Sequence, residues 1–180
     1  MNKKHDKNLV LAALFLALAY VLPFFTGNIP QIGSMLLPMH IPVLLCGFIC
    51  GAPWGTVVGL IAPVMRSALT GGFPPMFPTA FAMSFELAAY GFVCGFLTHR
   101  LPKNLKGFYS ALIAAMLCGR VVWGVVMAII TLKGDGFTFS AFIAGAFTNA
   151  IPGILLQLIA IPTIVFALGK ISSSPAEVGP

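Results

Sequence analysis

The chain has 180 residues, of which 59% are hydrophobic and only 8% charged, and it carries a formal net charge of +6. So little polar surface cannot cover a water-soluble globule, which excludes a soluble domain and points to an integral membrane protein. Nucleic-acid binding is excluded as the source of the basicity, because the Lys and Arg residues mostly flank apolar runs and form no basic stripe interleaved with aromatics.

Turn-forming clusters divide the apolar runs into six predicted helices, an all-α compact bundle forming a single membrane domain over 1–180. The first run, 8–25, follows the basic leader MNKKHDK and ends in LPFFTGNIPQ rather than at a small-residue cleavage site, so it is predicted to be a retained helix and not a signal peptide. The second, 36–51, is short for a span and carries Pro38 and Pro42, which predicts a tilted or bent segment whose freed carbonyls are satisfied inside the bundle. The third, fourth and fifth are predicted over 53–71, 78–98 and 107–132. The last, 140–169, contains NAIPG and Pro162, which predicts a kink. No sequence repeat relates the first three helices to the second three.

Loop charges set the expected orientation, because cytoplasmic loops collect Lys and Arg. With six crossings both termini share one side, which then holds Lys3, Lys4, Lys7, Arg100, Lys103, Lys106 and Lys170, against Lys133 alone on the other. Both termini are therefore expected to be cytoplasmic. The outer connections FTGNIPQIGSML, TGGFPPMFP and KGDGF are rich in Gly, Pro and aromatics, a composition suited to movable covers over a cavity.

Three ionisable residues stand inside predicted helices: Arg66, Glu86 and Arg120. Each is unfavourable by about 2.5–3.5 kcal/mol at a helix centre, so each is expected to face the bundle interior, pair, or meet a ligand. All three are predicted to converge in the outer half. One reading is an interhelical lock with Arg66 snorkelling to the interface; the other is a binding pocket. Two arginines against one glutamate leave a positive charge uncompensated, and neighbours at helical spacing suit a small polar ligand. Met83, Glu86 and Tyr90 share one face, and Met116, Arg120, Trp123 and Met127 another. Gly145, Asn149, Gly153 and Gln157 step by four, which predicts two carboxamides along a small-residue groove. His40, between two prolines, is a candidate either for a ligand contact or for a helix-end hydrogen bond.

No Walker loop, HExxH, Gly-x-Ser-x-Gly or catalytic carboxylate pair occurs, so no catalytic residue is expected. Cys46, Cys50, Cys94 and Cys118 lie in apolar runs as packing thiols, and no metal site or cofactor is expected.

The stretches LPMHIPVLLCGFICGAPWGTVVGLIAPVMRSAL and FPTAFAMSFELAAYGFVCGFL, set within short helices over nearly the whole chain, resemble the substrate-binding S components of energy-coupling factor (ECF) vitamin transporters of bacteria. IPVLLCGFICGAPWGTVVG is similar to that family's paired second and third helices, although an Ala intervenes in the turn GAPWG. The family's small-xxx-small motif on the first helix has a counterpart in Ala13 and Ala17, which the resemblance implies form a partner-docking face. It also implies a subunit of the bacterial cell membrane that captures a vitamin or precursor outside, docks with a membrane T subunit and two cytoplasmic ATPase subunits, and topples to release its cargo.

An ion-coupled carrier or membrane enzyme using Glu86, and a structural assembly protein, are the competing classes. For the substrate, excess positive charge favours a carboxylate, and the carboxamides favour hydroxyl and amide groups beside it. Pantothenate has those features, and the resemblance implies it as well, since members of that family with related sequences take it, so it leads, with pyridoxine-type vitamers, riboflavin or a queuosine-related base open.

Overall fold

A computed structural model describes residues 3–26, 35–102, 104–131, 138–146 and 148–169. Its helices are α1 (Lys3–Val21), α2 (His40–Cys50), α3 (Ala52–Leu69), α4 (Phe81–Arg100), α5 (Leu105–Ile130), α6 (Phe139–Ala146) and α7 (Ile151–Ala167). Short 3-10 turns follow α1 at Leu22–Thr26 and precede α7 at Thr148–Ala150, and a π-helical turn at Met76–Ala80 leads into α4. No strand occurs among the described residues. The result is an all-helical membrane bundle among the described residues, with α6 and α7 together standing where the sixth helix was expected. Four segments, His5–Phe25, Met76–Arg100, Leu105–Ile130 and Ser140–Ala167, are long and apolar enough to span a bilayer by themselves.

Polarity is distributed for a lipid solvent. Val57, Leu60, Ile61 and Val64 of α3 and Ile113, Leu117, Val121, Val125 and Ile129 of α5 face outward. His40, Arg66, Glu86, Arg120 and Gln157 are buried. Hydroxyls on the spans bond back to their own helix, as Thr56 Oγ1 to the Ala52 carbonyl at 2.8 Å and Thr163 Oγ1 to that of Ile159 at 2.7 Å, because lipid offers no other partner.

The 11-residue α2 rises about 16 Å, roughly half a hydrocarbon core of about 30 Å. A helix that is apolar all round belongs inside a bundle. Accordingly His40 through Phe48 are buried without a break, with α1, α3, α4 and α7 packed around them. Its start is later than the expected residue 36: Leu37 takes a left-handed φ of 51° and Pro38 and Met39 form a turn before His40 opens the helix. At the other end Gly51 reverses the chain in a single residue, with φ 93°, and Pro53 sits in the first turn of α3, where its missing N–H costs nothing.

Helices α3 and α4 meet backbone to backbone. A Cβ on Gly55 would come within 2.8 Å of the Gly91 carbonyl oxygen, and one on Gly91 would collide with Gly55. Small residues at such crossings let helices approach without a hydrophobic driving force. This contact fixes Arg66 near the end of α3 and Glu86 near the start of α4 at the same end of the bundle.

The last predicted helix is not continuous. The 3-10 turn at Thr148–Ala150 separates α6 from α7, at the NAIPG stretch where a kink was expected, while Pro162 sits inside α7. Pro152 then sits in the first turn of the new helix, where its missing N–H costs nothing. The single groove expected along Gly145, Asn149, Gly153 and Gln157 is therefore replaced by two separate surfaces. Gly145 admits the Trp123 indole, whereas Gly153 lies against the backbone of Met35 and Leu36.

Candidate binding cavity

A cavity of about 360 Å³ opens at the end of the bundle formed by the end of α1, the starts of α2 and α4, and the ends of α3 and α5. That volume lies in the range of small-molecule pockets. Its polar lining comprises His40, Arg66, Thr79, Glu86, Arg120 and Asn149. Pro23, Leu37, Met39, Phe73, Pro74, Pro75, Met83 and Trp123 make most of the remainder apolar.

Glu86 Oε1 is the meeting point of the wall. Arg120 Nη1 lies 2.9 Å from it, the Tyr90 hydroxyl donates to it at 3.2 Å, and His40 Nε2 stands 3.5 Å away. Glu86 and Tyr90 are one turn apart on α4 and share a face. Gly119 of α5 has no side chain to obstruct the Tyr90 ring, and the His40 ring lies 5.4 Å from that ring, centroid to centroid. With Glu86 and Arg120 at 1% and 5% exposure, the pair is held in a dry interior where loss of either partner strands a charge. Polar capacity remains: Arg120 Nη2 and both His40 ring nitrogens are buried without a hydrogen-bond partner.

Arg66 reaches the cavity but does not join that cluster. Its Nη1 donates to the Tyr20 carbonyl at 2.9 Å, and its guanidinium lies 5.1 Å from the centroid of the Phe24 ring. Tyr20 is in the last turn of α1, where carbonyls lack intrahelical donors and a cation is favoured. Trp123 lines the cavity and stacks on Phe142 with centroids 6.4 Å apart. Asn149 reaches the lining from the 3-10 turn.

Tyr90 and Gln157 stand outside the lining. Tyr90 is buried behind Glu86, and Gln157 is buried in α7 with its Nε2 unpartnered. Ala13 and Ala17 are exposed on the outer face of α1, away from the cavity. Sequence reasoning did not name Leu37, Phe73, Pro74, Pro75 or Thr79. The Pro-rich composition of TGGFPPMFP was the available signal, and most of the other two connections expected on its side, 27–34 and 132–137, lies outside the described residues. Among the described residues no group of His, Cys, Asp and Glu could hold a metal ion.

A membrane bundle with a closed polar cluster and a small cavity at one end defines a membrane protein that holds a small molecule. The family described as ECF transporter, substrate-specific component, matches residues 7–169, and the chain belongs to it. Proteins of this kind bind small-molecule substrates and pair with T and ATPase subunits in the membrane. No curated protein and no solved structure matches the chain.

Proposed function

We propose that the chain is the high-affinity capture subunit of an ATP-driven importer, taking a vitamin or related precursor from outside the cell into the cavity at the outer end of the bundle. The observation that carries this reading is the cavity itself, whose polar wall includes His40, Arg66, Glu86, Arg120 and Asn149. Arg120, His40, Asn149 and Trp123 contact the ligand; Glu86, with Tyr90 behind it, orients Arg120; Arg66 holds the end of α1 at the wall; Gln157 supports the floor through its neighbours. Ala13 and Ala17 form the docking face for the T subunit, and ATP hydrolysis resides in the partner ATPases. Both termini are cytoplasmic in this reading, supported by the basic residues His5, Lys7, His99, Arg100 and Lys106 at the end opposite the cavity. Glu86 is engaged by Arg120 and Tyr90, which favours a fixed role over that of a mobile proton carrier.

Pantothenate is the leading substrate, followed by pyridoxine-type vitamers and riboflavin. Calorimetric titration of the purified protein with these compounds tests the reading. Saturable binding of one is expected, and a folded protein that binds none would overturn this choice of substrates.

A further inference from the structure

One side of the cavity is closed by an exchange of aromatic rings between α5 and α6. Trp123 and Gly145 both line the cavity, and the indole tip rests on the glycine: a Cβ at 145 would lie 2.9 Å from Cη2, with Cζ3 and Cζ2 at 3.5 and 3.8 Å. Buried Gly124 seats the Phe142 ring in the same manner, since a Cβ there would overlap Cε2 and Cδ2. Each helix thus supplies one ring and one glycine. The two rings stack at 6.4 Å between centroids with 25° between their planes. Trp123 lines the cavity and Phe142 does not, so Phe142 backs the indole on the side away from it.

This arrangement decides what moves when the contact is tightened. Nonbonded carbons settle about 3.5–4.0 Å apart, so a methyl group at 145, placed 2.9 Å from Cη2, must displace that atom by about 0.6–1 Å. Cη2 is the far end of a side chain that turns about its χ bonds, and the ring yields before the helix does. Behind it the Phe142 ring already rests on the α5 backbone at Gly124 and has no room to retreat. The indole therefore goes into the cavity. In a space of about 360 Å³, a ligand that fills the cavity is then crowded, whereas a shorter one is not.

We infer that Gly145 determines the size of ligand the cavity admits, because it seats the Trp123 indole against the wall, with Phe142 in its own seat at Gly124 holding the indole from behind. This rests on the reading of the cavity as the capture site. Gly145 is a positioning residue that acts through Trp123, and the selection it imposes is steric, independent of the ligand's charge.

The test uses the full-length protein in detergent. Trp54 and Trp123 are the two tryptophans of the chain, so a Trp54→Phe background makes the emission of Trp123 a direct report on the indole. Adding Gly145→Ala should shift that emission to the red and increase its quenching by acrylamide, as the ring leaves its seat. The second readout is calorimetric affinity for whichever of pantothenate, pyridoxine and riboflavin binds. Gly145→Ala should weaken it by about 5- to 150-fold, the range expected for overpacking. A truncated counterpart should lose less: pantoate for pantothenate, 3-hydroxypyridine for pyridoxine, lumichrome for riboflavin. In a Trp123→Phe background, where a smaller ring meets the new methyl, Gly145→Ala should change affinity by no more than about twofold. A lower unfolding temperature with unchanged affinity and size preference would make the contact a packing clasp for α6 and overturn the inference. An indole that does not respond to Gly145→Ala, or equal affinity losses with Trp123 present and replaced, overturns it too, and each of these results leaves the capture role standing. Failure of all three compounds to bind folded wild-type protein overturns that choice of substrates, and the response of the indole then decides the inference alone.

Discussion

Arg120 Nη1 lies 2.9 Å from Glu86 Oε1, joining α5 to α4 through an ion pair that is almost fully buried. Removing one partner from such a pair costs about 3–5 kcal/mol, whereas removing both together is far less unfavourable. Glu86→Gln and Arg120→Met should each lower thermal stability in detergent strongly, and the double variant should recover much of the loss. The coupling energy from the cycle should then be at least as large as either single loss, about 3–5 kcal/mol, and strict additivity would mean that the two residues do not depend on one another.

The backbone contact between α3 and α4 gives a second expectation. A methyl group on Gly91 collides with Gly55, and neither backbone segment can move aside as a flexible side chain would. Gly91→Ala should destabilise the protein by about 1–3 kcal/mol or more, read as a lower unfolding temperature. A neutral effect would show that the crossing is looser than the glycine contact requires.

The sequence made this bundle legible because lipid imposes a coarse rule: apolar runs bounded by Gly and Pro must be helices. Arg66, Glu86 and Arg120 stood out for the same reason, since a charge in a span needs a partner. A pair between Glu86 and an arginine, with Arg66 set apart toward the interface, was among the readings the sequence allowed, and Glu86 does pair with Arg120. Periodicity places a residue on a face of its own helix but says nothing about which helix lies opposite, so the Tyr20 carbonyl and the Phe24 ring beside Arg66 were not legible. The step of four from Gly145 to Gln157 presumed one helix through the 3-10 turn at Thr148–Ala150. Proline marked the region, but not whether the chain bends or breaks there.

Orientation is testable at two described positions. Thr70 lies at the cavity end and Asn104 at the other, beside Arg100 and Lys106. With Cys118 replaced by Ser, a cysteine at 70 should react with a membrane-impermeant maleimide applied outside intact cells, and one at 104 should stay protected. The opposite pattern would place the cavity on the cytoplasmic side.

Exposure of Ala13 and Ala17 on α1 separates docking from binding. A bulky side chain there touches nothing in the cavity but keeps another helix at a distance. Ala13→Trp and Ala17→Trp should leave ligand affinity of the isolated subunit within about twofold while impairing assembly with the T subunit and uptake. Lost affinity with normal assembly would place this face in the binding machinery instead.

Arg66 supplies the last test, because its charge is met by a helix end and a ring. The Arg66 Nη1 bond to the Tyr20 carbonyl, at 2.9 Å, ties the last turn of α1 to α3, and Phe24 closes over the guanidinium at 5.1 Å. At 1% exposure the residue gains little from solvent, so these contacts carry its burial. A hydrogen bond from a charged donor contributes about 1.5–3 kcal/mol and the cation–π contact about 0.5–2 kcal/mol. Arg66→Met should therefore lower thermal stability by about 2–5 kcal/mol, combining those ranges. Arg66→Lys, which keeps the charge but loses the planar fork, should fall between. Hydrogen exchange should rise first in the last turn of α1, where the freed carbonyl lies. The preference for a carboxylate over its neutral counterpart should persist in both variants. If Arg66→Met instead abolishes that preference and leaves α1 as protected as before, Arg66 rather than Arg120 holds the ligand's charge.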